Sequence, residues 1–137
     1  MPRPVDQRTL GYVVVGGALG VLARALIHFP VDDSALIPWL TLGINVVGAF
    51  LLGIVVGAVG DRRPHVRAFL GTGVLGGFTT YSAFAVETVL WLATPWLAAG
   101  LAAASVIAGV VGALAGLLVG RVLGGRTSGR LPLAEAE

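Results

Sequence analysis

Within a segment apolar enough to cross a bilayer, the sequence GGFTTYSAF (Gly76–Phe84) places two glycines, two threonines and a serine. These residue types together suit ion chemistry. Glycine costs about 1 kcal/mol relative to alanine in a helix, so Gly76–Gly77 marks an expected break. The hydroxyls of Thr79 and Thr80 can satisfy backbone groups that a break releases. Interrupted helices at membrane depth require cover from protein or a water-filled cavity, and the carbonyls they expose are hard ligands suited to an alkali cation. Tyr81 and Phe84 lie three residues apart and share a face, where ring edges, which carry partial positive charge, can meet an anion. The same pair also reads as ordinary core filling. Glu87 follows Tyr81 by about two helical turns, which places it at a vestibule or within reach of lipid headgroups.

A second polar set lies on a neighbouring apolar stretch. In TLGIN, Thr41 and Asn45 are four residues apart and so share one helix face. An amide in hydrocarbon must find partners, so Asn45 is expected to point inward, either into a polar path or into an interhelical hydrogen bond. Ser105 carries a weaker form of the same signal, because a serine can also bond its own helix. Arg24, in GGALGVLARALI, is an ionisable group inside a span and therefore a functional candidate; its alternative is to snorkel to the interface.

The elements that must position these residues follow from composition. Of the 137 residues, 56% are hydrophobic and 12% charged, and the mean hydropathy is +0.92. A soluble domain of this size has too high a surface-to-volume ratio to hide that much apolar surface. A helix needs roughly 20 apolar residues to cross a bilayer core about 30 Å thick. Four segments qualify: about Leu10 to Phe29, Ile37 to Val59, Arg67 to Leu92, and Pro95 to Leu123. No alternating strand pattern supports a β-barrel. The expected fold is an all-α membrane bundle of four helices, the third broken. It divides into an N-terminal segment 1–9, a four-helix transmembrane domain 10–123 and a mobile tail 124–137. The first span is read as retained and not as a cleaved signal. Gly112, Gly116 and Gly120, and likewise Gly53 and Gly57, recur every four residues, as close helix packing in lipid demands.

With four spans, Arg3, Arg8, Arg62, Arg63, Arg67, Arg121, Arg126 and Arg130 all belong to one side, and the two opposite loops have no arginine. The positive-inside rule puts both termini in the cytoplasm of a multi-pass protein of the plasma or inner membrane. That distribution accounts for the pI near 9.9 without nucleic acid. There is no cysteine, and the sequence has neither a nucleophile–base pair nor a metal cluster, which argues against an enzyme.

In combination, GGALGVLAR, TLGINVVGAFLLG and GGFTTYSAFAVET resemble the signatures of the Fluc/CrcB family of fluoride channels, in the expected order and over roughly Leu10 to Leu123. The resemblance implies a passive, fluoride-selective channel through which toxic cytoplasmic fluoride leaves the cell. It further implies an antiparallel dimer with two interfacial pores and a central sodium ion. By the same resemblance, the carbonyls of Gly76 and Thr79 from both subunits hold the sodium, and Asn45 donates to fluoride. Phe84 and Tyr81 occupy the aromatic pair, Thr41, Ser82 and Ser105 lie near the polar track, Glu87 sits at a mouth and Arg24 has a supporting role. Fluoride is strongly hydrated, and conduction needs weak, multiple sites in place of its water; neutral amides, hydroxyls and ring edges meet that need.

Three positions depart from the family pattern: Tyr81 replaces a phenylalanine, Ala83 a hydroxyl residue, and Leu101 a common tyrosine. The arginine asymmetry also favours one fixed orientation. The expected partner is therefore an oppositely oriented homologue, in preference to a second copy. The alternatives are a non-conducting or partner-dependent subunit, and a small multidrug exporter. The exporter would need a carboxylate deep in the first span, where only Arg24 is found.

Overall fold

The computed structural model describes residues 6–60, 63–81, 85 and 95–128. Helix α1 (Gln7–His28) begins at Asp6, whose Oδ1 accepts the Arg8 N–H (3.1 Å) and whose Oδ2 accepts the Thr9 hydroxyl (2.7 Å). Such a cap satisfies donors that the first helical turn leaves open. The Thr9 hydroxyl, then the Arg8 N–H and more weakly the nearby His65, hold the Asp6 carboxyl below its usual range.

Helix α2 (Ile37–Val59) carries Pro38 in its first turn, where the missing N–H costs nothing. It stops at Gly60, whose φ of 54° suits a residue without Cβ. Next come the short α3 (Pro64–Arg67), a π-helical segment (Ala68–Leu75), one α turn designated α4 (Gly76–Phe78), and finally α5 (Pro95–Ser128). The described residues contain no strand. The expected all-helical architecture is therefore present, with three helices long and apolar enough to cross a membrane: α1, α2 and the part Ala98–Gly125 of α5. The remaining expected span is described only as far as Tyr81 and at residue 85. Residues 82–84 and 86–94, with Ser82, Ala83, Phe84 and Glu87 among them, lie outside the described residues, as do 1–5 and 129–137.

The helices pair two by two. α2 runs against α5, while α1 runs against the π-helical segment and α4; α1 and α2 touch only slightly. Glycines set both pairings. A Cβ on Gly53 would collide with the Ala113 carbonyl, and one on Gly116 with the Phe50 carbonyl. A Cβ on Gly57 would lie 2.6 Å from the Leu117 carbonyl oxygen. The four-residue glycine spacing thus serves backbone-to-backbone approach between α2 and α5. In the other pair, Gly73 faces Gly16, and Gly77 faces the Gly17 carbonyl.

Large apolar side chains face outward on α1, α2 and α5: Val14, Leu26, Trp39, Val106, Ile107, Val111 and Leu118 are each at least half exposed. Among the described residues the fully covered positions include Thr41 and Thr80 beside Ile44, Leu75 and Ala98. Apolar surface outside and hydroxyls inside invert the soluble pattern and suit a bilayer as solvent.

Candidate functional site

The site is assembled around the point where the third segment stops being a helix. The departure begins earlier than its glycines suggest. The π-helical stretch from Ala68 to Leu75 precedes them, and Gly76–Phe78 themselves remain helical. The backbone turns extended at Thr79 (φ −77°, ψ 157°). The break expected at Gly76–Gly77 therefore falls two residues later. Gly77 is needed for its contact with α1, and what holds the chain open is the neighbouring α2.

Asn45 does the holding. Its Oδ1 accepts the Thr80 N–H at 2.8 Å, and its Nδ2 donates to the Thr80 carbonyl at 3.0 Å. One side-chain amide thus engages both backbone groups of a buried residue at the break, as adjacent strands would. An unbroken helix would direct the Thr80 N–H to the Gly76 carbonyl; here it is directed to Asn45. Because an amide nitrogen carries two protons, the bond to the Thr80 carbonyl uses one of them. Gly48, one turn along α2, is required at the same place, since a Cβ there would collide with the Thr79 methyl.

The Thr79 hydroxyl donates to the Leu75 carbonyl at 2.9 Å, the same oxygen that accepts the Thr79 N–H at 3.0 Å. Threonine was expected to satisfy groups released by the break; this hydroxyl instead bonds back into the turn before it. The Thr79 carbonyl accepts from Arg24 Nη1 at 3.4 Å. Arg24 therefore turns inward to the break rather than outward to the interface. Among the described residues no carboxylate pairs with it, so its charge adds positive potential beside the site.

Asn45, Thr79, Thr80, Tyr81 and Ser105 line one outward-opening cavity of about 350 Å³, together with Gly48, Ala49, Leu52 and Val106. The structure thus brings together Asn45, Thr79, Tyr81 and Ser105, which are distant in sequence. Thr41, though on the Asn45 face of α2, is not in that cavity wall. It is fully buried, with its hydroxyl 3.5 Å from His28 Nε2. His28 Nδ1 in turn lies 3.0 Å from the Arg24 carbonyl. His28 was not among the residues expected here, and Thr80, expected to contribute its hydroxyl, joins the network through its backbone N–H and carbonyl. The four-residue step from Arg24 to His28 was the available signal for the first. Tyr81 is 81% exposed, so its ring reaches outside the chain.

Backbone oxygens of Gly76 and Thr79 are of the hard-donor kind that suits an alkali ion. The Thr80 N–H, which a continuous helix would direct to the Gly76 carbonyl, goes to Asn45. The Arg24 guanidinium on Thr79 places a positive charge next to the second oxygen.

A family model described as "CrcB-like protein, Camphor Resistance (CrcB)" matches residues 11–120. A protein of Leifsonia xyli subsp. xyli named "Fluoride-specific ion channel FluC 2" is 50% identical over 93 residues, covering 64% of each chain. "Fluoride-specific ion channel FluC 1" of Mycobacterium tuberculosis is 47% identical over 88 residues, 61% of this chain and 67% of that one. "Fluoride-specific ion channel FluC" of Novosphingobium aromaticivorans is 43% identical over 85 residues, 58% of this chain and 68% of that one. These matches span about two-thirds of each relative's length.

Proposed function

This chain belongs to the CrcB-like family, and from that premise we propose that it is a subunit of a fluoride-specific, passive ion channel that lets cytoplasmic fluoride leave the cell. The observation that carries the proposal is the Asn45 clamp on the broken segment, beside a cavity lined by Thr80, Tyr81 and Ser105. The second proton of Nδ2 is the donor offered to fluoride. Ring edges of Tyr81 and of Phe84 supply further weak contacts, Ser82, Ser105 and Thr41 supply hydroxyls near the track, and Glu87 stands at a mouth. Its relatives bear channel names, which favours transport without chemistry over an enzyme. Family membership likewise favours the channel over a multidrug exporter.

The complete assembly proposed has four spans per chain and two chains packed antiparallel. The exposed Tyr81 ring and the open side of the cavity support a pore wall completed by a second subunit. Sodium, when bound, supplies a central positive charge; the Gly76 and Thr79 carbonyls of both chains would hold it. Arg24 orients the Thr79 carbonyl and contributes electrostatically.

A second reading is favoured by Tyr81 and Leu101, which stand where the family has other aromatics, and by the one-sided arginines. In it the chain keeps both termini in the cytoplasm and pairs with an oppositely oriented homologue, contributing to a pore it does not complete alone. Expression of this chain alone in fluoride-sensitive cells, with termini mapped by a membrane-impermeant label, separates the two. The partnered reading expects little rescue and termini on one face. Full rescue with termini on both faces would establish the homodimer instead.

A further inference from the structure

A second concavity lies at the opposite end of α1 from His28, and the channel reading makes no use of it. It is a groove of about 850 Å³ between α1 and the start of the third segment. Its walls are Gly11, Tyr12 and Val15 of α1, with Val66, Phe69 and Leu70 opposite, and Arg8 and His65 stand at its shallow end. Tyr12 and His65 pack edge to face, with ring centroids 5.3 Å apart, and His65 Nε2 lies 3.7 Å from Asp6 Oδ2. Val15 is 57% exposed and Tyr12 46%, so the apolar wall opens outward in a chain whose solvent there is lipid.

The chemistry grades along the groove. The deep part is aliphatic and aromatic, and Gly11, with nothing near its missing Cβ, leaves the space open. The shallow part has Arg8 and His65, with Arg63 close by in sequence. Among the described residues the carboxylate at this end is that of Asp6, which the Arg8 N–H, the Thr9 hydroxyl and His65 already engage. A ligand complementary to both parts has an apolar chain and an anionic head. Basic pockets between membrane helices take anionic lipid headgroups on this principle, and tyrosine favours the headgroup level.

We propose that this groove is a binding site for one anionic phospholipid, its phosphate beside Arg8 and His65 and an acyl chain along Val15, Phe69 and Leu70. The inference is independent of fluoride conduction. The test is native mass spectrometry of the full chain in non-ionic detergent, titrated with phosphatidylglycerol or phosphatidylcholine at equal amounts. Phosphatidylglycerol should be retained several-fold better. Arg8→Gln should remove about fivefold of that preference, as expected for one basic group near an anionic headgroup, while Arg8→Lys keeps it. Arg121→Gln, a basic residue at the same end of α5 and not a groove residue, should leave it unchanged. Leu70→Trp, which fills the groove, should lower retention of both lipids, with helicity by circular dichroism matching the unsubstituted chain. Equal retention of the two lipids would overturn the proposal. So would equal losses from Arg8→Gln and Arg121→Gln, which would mean diffuse surface charge. Displacement of phosphatidylglycerol by inorganic phosphate would mean a headgroup site without a chain groove. A Leu70→Trp chain that keeps its lipid but loses its dimer would assign the groove to a second copy.

Discussion

At the scale of residues, Asn45 is the side chain on which the site depends. Its two bonds to Thr80 replace the helical bonds lost at the break, and Thr80 is only 8% exposed. Asn45→Ala removes the amide that pairs with the Thr80 N–H and carbonyl, and losing the partner of a buried polar group costs about 1–3 kcal/mol. The variant should show a lowered unfolding midpoint in detergent and lose fluoride flux. Asn45→Asp keeps the acceptor toward the Thr80 N–H but removes both donor protons and adds a negative charge. Part-buried and set against the Thr80 carbonyl, that charge is both desolvated and repelled, so the variant should be less stable than the unsubstituted chain and fail to conduct. Equal flux in Asn45→Asp and the unsubstituted chain would remove Asn45 from the anion path.

At the scale of elements, close approach by glycine decides the packing. Gly116 admits the Phe50 carbonyl to the space a Cβ would occupy, so Gly116→Val must push α5 off α2. Overpacking of this kind costs typically about 1–3 kcal/mol, and the thermal midpoint of the purified chain should fall accordingly. Gly125, with no neighbour at its Cβ position, should accept alanine with little change. The first turn of α1 makes a separate prediction. The folded Asp6 carboxyl is held below its usual range, so its contribution is complete above the ordinary carboxylate pKa and disappears as pH falls through the lowered folded value. Protection of the Arg8 amide against hydrogen exchange, corrected for intrinsic rates, should drop on acidification and stay flat in Asp6→Asn.

How far these elements were legible in the sequence follows from which interactions are local. Hydropathy and the proline and glycine stops placed α1 and α2 within a few residues, because burial in lipid acts on each segment separately. The four-residue glycine spacing announced close packing by α2 and by α5, while the pairing of the two with each other is seen only in the structure. The π-helical stretch was not legible, since nothing in AFLGTGVL distinguishes five-residue from four-residue bonding. Nor was the location of the break at Thr79. It is set by Asn45, 35 positions in sequence from the Thr80 it binds, and by Gly77, which is held helical against Gly17. Asn45 and Ser105 could be named as polar candidates from type alone; that they share a cavity, and that Thr41 turns instead to His28, is a matter of tertiary packing.

At the scale of the whole molecule, this is a multi-pass membrane protein of the CrcB-like family, with its apolar surface outside and its hydroxyl and amide groups gathered at a helix break. The proposed dimer follows from what a single chain leaves open: a cavity with an outward-facing Tyr81 and a broken segment offering backbone oxygens. The most direct measurement is fluoride efflux from liposomes, followed with a fluoride electrode. It is made with this chain alone, with an oppositely oriented homologue alone, and with both. The account predicts rapid efflux that excludes chloride in the combined preparation and abolition of this chain's contribution by Asn45→Ala. No efflux above empty liposomes in any of the three preparations would contradict it.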